Sequence, residues 1–157
     1  MLILSLWPIM EENFDDIRSY RDEEANEVLS RLVSQPEINQ LLASLIPELN
    51  SEQIDKIVSG INSRWDFQNS LILPIFQKNI LTTFSELTVS GLENLDPNKA
   101  YLFISNHRDI VLDSAVLNYF LHIHKFSTAE IAIGDNLIKD KWIEDLVRLN
   151  KSFIVKR

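Results

Sequence analysis

The chain reads as an α/β protein. A helical N-terminal module, residues 1–85, precedes the first half of an α/β sheet domain, residues 86–157. Three observations predict this. Helical periodicity dominates the first part. From Leu87 onward, short apolar runs alternate with amphipathic segments in the order β-β-α-β-α-β, the pattern of a sheet covered by helices. Only 3 glycines occur in 157 residues, which favours long helices over a turn-rich β fold.

Taken in order, the chain opens on an apolar stretch, MLILSLWPIM. It lacks a basic lead and a small-residue cleavage site, so it does not read as a signal peptide. It is too short to span a bilayer, and no later run reaches about 18 apolar residues, so a soluble or peripheral protein is expected. Glu11–Ser34 is helical in period. Phe14, Ile17, Val28, Leu29, Leu32 and Val33 share a broad face, with charged residues opposite. Pro36 suits the first turn of a second helix, Glu37–Ile46, which Pro47 ends. Asn50-Ser51 caps a third, about Glu52–Gly60.

Ser63–Ser85 is the most apolar helical segment, with a kink expected at Pro74. Two readings stand for its Trp65–Phe84 face. One is a core helix joining the two halves; the other is an interfacial helix dipping into lipid headgroups, which its few cations, Arg64 and Lys78, weaken. Beyond it, strands are expected at Leu87–Ser90, Tyr101–Ile104, Ile131–Gly134 and Ser152–Val155. Helices are expected at Asp109–Lys125 and Leu137–Leu149. The alternation stops at Arg157 after a strand, so the expectation is a fragment of a larger α/β domain, inactive alone.

Composition narrows the function. The net charge of −8 argues against nonspecific nucleic-acid binding. With no cysteine there is no disulfide, no Cys-ligated zinc or iron–sulfur cluster and no cysteine nucleophile, which is compatible with the cytoplasm. His107-Arg108-Asp109 spells a kinase catalytic loop, but Ser114 stands where that motif needs Asn, and no glycine-rich loop precedes it. His122 and His124, two apart on a helix, point to different sides and have no third ligand in view, so no metal is expected.

The chemistry concentrates in Tyr101–Leu117, YLFISNHRDIVLDSAVL. An apolar run ends in Ser105-Asn106, and His107 follows where a strand hands over to a helix, a common place for catalytic groups. Asp109 can cap that helix, and Asp113 lies one turn in. A carboxylate there can hold one imidazole nitrogen while the other takes a proton. Read alone, a single histidine at a strand end is most often structural. Asn106 reads equally well as a turn residue.

This stretch resembles the glycerol-phosphate and lysophosphatidic acid acyltransferases, whose first motif is Asn-His-x4-Asp after a short buried strand. The lead-in Val89-Ser90-Gly91-Leu92-Glu93-Asn94-Leu95 is also similar. His107 and Asp113 have five residues between them here. The resemblance implies that His107 is the general base and Asp113 its orienting carboxylate, with Asp109 as cap or alternative. Asn106 and Arg108 flank the base. Gly134-Asp135-Asn136-Leu137 and Ser152–Arg157 stand where the family has Lys-x-Glu-Leu and a Phe-Ile-x-Arg strand. That arginine holds the acceptor's phosphate, a task for which the guanidinium fork is suited, and Lys156 and Arg157 compete for the position. Read alone, a terminal Lys-Arg is more often a solvated end.

The function implied is acyl transfer from acyl-CoA or acyl-carrier protein to a glycerol-phosphate or lysophospholipid hydroxyl, in phospholipid biosynthesis. No cofactor or metal is expected beyond the donor. Peripheral membrane contact would run through residues 65–84, in the cytoplasm or at the inner face of the membrane. The alternative is non-catalytic: a helical interaction module joined to a degenerate acyltransferase half-domain.

Overall fold

The computed structural model describes residues 13–106 and 108–157. The apolar stretch 1–10 and His107 lie outside the described residues.

The expected helix over Glu11–Ser34 shrinks to a 3-10 turn, Asp22–Glu24, and helix α1, Ala25–Val33. The preceding segment gives its carbonyls to the C-terminal part of the chain instead. Ile154 donates its amide to the Ile17 carbonyl at 2.7 Å, and Tyr20 donates its own to Arg148 at 3.1 Å. The Arg148 side chain bonds the Asp15 and Arg18 carbonyls. Acceptors used this way cannot serve a helical ladder.

Helices α2, Pro36–Leu45, and α3, Ser51–Ser59, form as expected from local chemistry. Pro36 occupies the first turn of α2. Asn50 caps α3 through a reciprocal pair: its carboxamide accepts the Gln53 amide at 2.9 Å, and the Gln53 side chain accepts the Asn50 amide at 3.0 Å.

The apolar segment splits into α4, Arg64–Phe67, a π-helical turn, Gln68–Ile72, and α5, Leu73–Asn79. Leu73 donates its amide to Gln68, five residues back. The widened turn makes room for the Pro74 ring, which has no amide to give the carbonyl four residues earlier. Phe67, Leu71 and Phe76 are buried, as a core helix requires, whereas Trp65 is 59% exposed.

The second half contributes α6, Leu112–Ile123, β1, Ile131–Gly134, α7, Lys141–Leu149, and β2, Ser152–Val155. The two strands pair in parallel, Ile131 with Ser152 through Gly134 with Val155, and α7 is their crossover. Helix α7 starts later than expected because Asp135–Leu137 first makes a 3-10 turn. The strands expected at Leu87–Ser90 and Tyr101–Ile104 do not form. A strand needs a ladder partner, and β1 with β2 is the one ladder among the described residues. Leu102 and Ile104 stand 86% and 88% exposed.

One core joins the two parts of the chain. Leu149 of α7 is fully buried among Tyr20, Ala25, Val28, Leu29, Leu32 and other residues of the first part. Polar contacts follow the same seam. Asp145 is 2% exposed and accepts from the Tyr20 hydroxyl at 2.6 Å, Arg31 Nε at 2.8 Å and Lys141 Nζ at 2.9 Å. The Arg148 guanidinium lies 4.4 Å over the Tyr20 ring.

Candidate active site

The turn that follows Asn106 is held by two carboxylates acting in opposite directions. Asp109 Oδ1 accepts the amides of Val111 and Leu112, both at 2.8 Å. This is an Asx-type turn that caps the start of α6. Asp113, in the first turn of α6, reaches back: its Oδ2 accepts the amides of Arg108 at 2.7 Å and Asp109 at 2.9 Å. The Ile110–Val111 turn takes up the five-residue spacing. It brings the Asp113 carboxylate to the amide directly after His107 in the chain. Asn106, Arg108, Asp109, Ile110 and Val111 are all exposed.

The other expected residues gather at the carboxyl ends of the parallel strands, where α/β sheets bind ligands. Lys156 pairs with Asp16, and this bond holds the Asp16 carboxyl below its ordinary range. Arg157 donates its amide to Asp135 Oδ2 at 3.3 Å, tying the end of β2 to the end of β1. Its guanidinium lies beside Gly134. The structure thus brings Arg108, Asp109 and Asp113 into one turn, and Arg157, Gly134 and Asp135 to one strand edge. Lys156 stands apart with Asp16.

Other groups in the fold serve its seam. The cavity of about 230 Å³ beside Asp145 is lined by Arg31, Lys141 and Trp142, among others. Its charges are paired: burial pushes the Asp145 carboxyl up, but bonds from Arg31, Tyr20 and Lys141 outweigh this and hold it at about 2. Among the described residues, no three His, Asp or Glu side chains gather to hold a metal. His122 stacks on Trp65 with ring centroids 6.1 Å apart, and His124 Nδ1 bonds the Phe120 carbonyl.

Residues 86–157 match the Acyltransferase family. The matched segment contains the Asp109–Asp113 turn, both strands and Arg157. No curated protein and no solved structure matches the chain. Sequence spacing did not reveal that Asp113 bonds backbone amides, because that depends on how the turn folds. Nor did it single out Asn136, whose side chain shares the Gly134 edge with Arg157.

Proposed function

We propose that the full-length protein transfers a fatty acyl group from acyl-CoA or acyl-carrier protein to the hydroxyl of a glycerol-phosphate or lysophospholipid. The observation that carries this reading is the Asp113 carboxylate, fixed on the amides of Arg108 and Asp109, the two residues that follow His107 in the chain, inside the segment that matches the Acyltransferase family.

In this reading His107 Nε2 takes the proton of the acceptor hydroxyl while that oxygen attacks the thioester carbonyl carbon. The C–O bond forms, the C–S bond breaks, and the thiolate leaves with the proton from His107. The products are an ester and a free thiol. Asp113 fixes the imidazole tautomer and stabilises its cationic form. Asp109 holds the turn from the other side. Arg157 takes the acceptor's phosphate in preference to Lys156, whose ammonium is engaged by Asp16. Exposed Trp65, at the start of the apolar segment, supports peripheral membrane contact.

The test is acylation of glycerol 3-phosphate or lysophosphatidic acid by the full-length protein with each donor. His107→Ala should lower turnover by at least about 10²-fold while leaving the fold intact, the scale of general-base catalysis. Undiminished turnover in a folded His107→Ala protein would overturn the reading.

A further inference from the structure

Gly134 ends β1 with φ −68° and ψ 138°, a backbone conformation open to any residue. Conformational freedom is therefore not what glycine supplies here. Space is. A Cβ at this position would fall 2.6 Å from Asn136 Oδ1 and 3.5 Å from both Nε and Nη2 of Arg157. The Asn136 carboxamide thus folds back into the volume that a side chain would fill, against the same backbone that the Arg157 guanidinium overlies. These residues are far apart in sequence and meet because Gly134 pairs with Val155 across the parallel ladder. The Arg157 amide bond to Asp135 Oδ2 closes the corner.

We propose that Asn136 is a specificity-determining residue, which with Arg157 reads the anionic group of the acceptor. Gly134 is the positioning residue that lets the two converge. This rests on the reading that Arg157 binds that group. A carboxamide offers two N–H donors and no charge, so it adds hydrogen bonds to an anion without competing for the guanidinium. Asp135 already sets one negative charge at this edge, with its Oδ2 accepting the Arg157 amide. A second carboxylate at position 136 would make the corner net negative and repel an anion.

The experiment is calorimetric titration of the full-length protein with glycerol 3-phosphate, and with glycerol as the uncharged comparator. The natural protein should bind the phosphate ester and prefer it to glycerol. Asn136→Asp should weaken glycerol 3-phosphate binding by about tenfold, the scale of one charge-assisted hydrogen bond, with little change for glycerol. Asn136→Ala should weaken it less. Gly134→Ala should weaken it through displacement of the carboxamide, and adding Asn136→Ala to it should cost little more. All three substituted positions lie at the strand edge, away from the core, and circular dichroism checks each fold. If Asn136→Asp and Asn136→Ala bind as the natural protein does while Arg157→Ala does not, the inference fails and the Arg157 reading survives. If Arg157→Ala also binds normally, both fail. No measurable binding of glycerol 3-phosphate by the natural protein overturns the inference as well.

Discussion

The Asp113 carboxylate accepts the backbone amide of Asp109 at 2.9 Å, while the Asp109 carboxylate caps the helix that carries Asp113. The two acids hold the turn from both ends, and their chemistry can be separated. In Asp113→Asn the carboxamide oxygen can still accept both amides, so the turn should persist with stability changed by less than about 1 kcal/mol. Turnover should nevertheless fall by at least about 10²-fold, because a neutral amide cannot stabilise the imidazolium. Asp113→Ala should lose both functions. Asp109→Ala should cost about 0.5–2 kcal/mol from the lost cap, and activity only as far as the turn loosens. Turnover that survives Asp113→Asn but vanishes in Asp109→Asn would reverse the assignment of the two acids.

Leu149 offers a test of the shared core. It belongs to α7, inside the segment that matches the Acyltransferase family, yet its side chain is packed among residues of α1 and Tyr20. Leu149→Ala should destabilise the protein by about 2–5 kcal/mol, the range for a fully buried leucine whose surroundings relax only in part. Urea unfolding followed by circular dichroism measures this. A loss under about 1 kcal/mol would mean that the seam between α1 and α7 contributes little to cooperative stability.

The sequence was most legible where structure is set by neighbours in the chain. Pro36 and Asn50 announce their helix starts through chemistry that acts within one turn. Ile131–Gly134 and Ser152–Val155 are short apolar runs between polar turns, and both are strands. Legibility failed where a distant partner decides. Phe14 and Ile17 have helical spacing, but the Ile17 carbonyl serves Ile154, far along the chain. Tyr101–Ile104 has strong β propensity, yet propensity cannot supply a ladder partner. In the candidate site, the spacing of Asp109 and Asp113 was visible in the sequence, but not the way Asp113 reaches the Arg108 amide.

Membrane contact has its own test. Trp65 is exposed and stacked on His122, at the edge of a segment whose Phe67, Leu71 and Phe76 face the core. An aromatic ring placed this way suits the headgroup boundary. No described helix is long and apolar enough to cross a membrane. Vesicle co-sedimentation should therefore detect surface binding that Trp65→Ala reduces. With a net charge of −8, anionic lipid gives little electrostatic hold, so the binding should persist at high salt. Binding that disappears with salt, or that ignores Trp65→Ala, would place the contact elsewhere.

Asp145 predicts how stability depends on pH. Burial alone would raise its pKa, but the bonds from Arg31, Tyr20 and Lys141 prevail and hold it at about 2. In the unfolded chain an aspartate titrates near about 3.9. The folded value is the lower one, so the unfolded state binds the proton more readily, and folding is favoured wherever the group is ionised in both states. The contribution is therefore complete above about pH 5 and is lost as pH falls through about 4 toward about 2. A difference of about two pKa units corresponds to about 2–3 kcal/mol. Thermal midpoints of the natural protein should fall across that window. Asp145→Asn should lower stability at neutral pH, because Arg31 and Lys141 lose their buried counter-charge. It should also flatten the acid limb by roughly the same 2–3 kcal/mol. Glu24, held at about 2 chiefly by Arg18, titrates over the same range but sits outside the Asp145 group, so its share of the slope should remain in the variant. An acid limb equally steep in Asp145→Asn would show that the Asp145 network does not set the pH dependence.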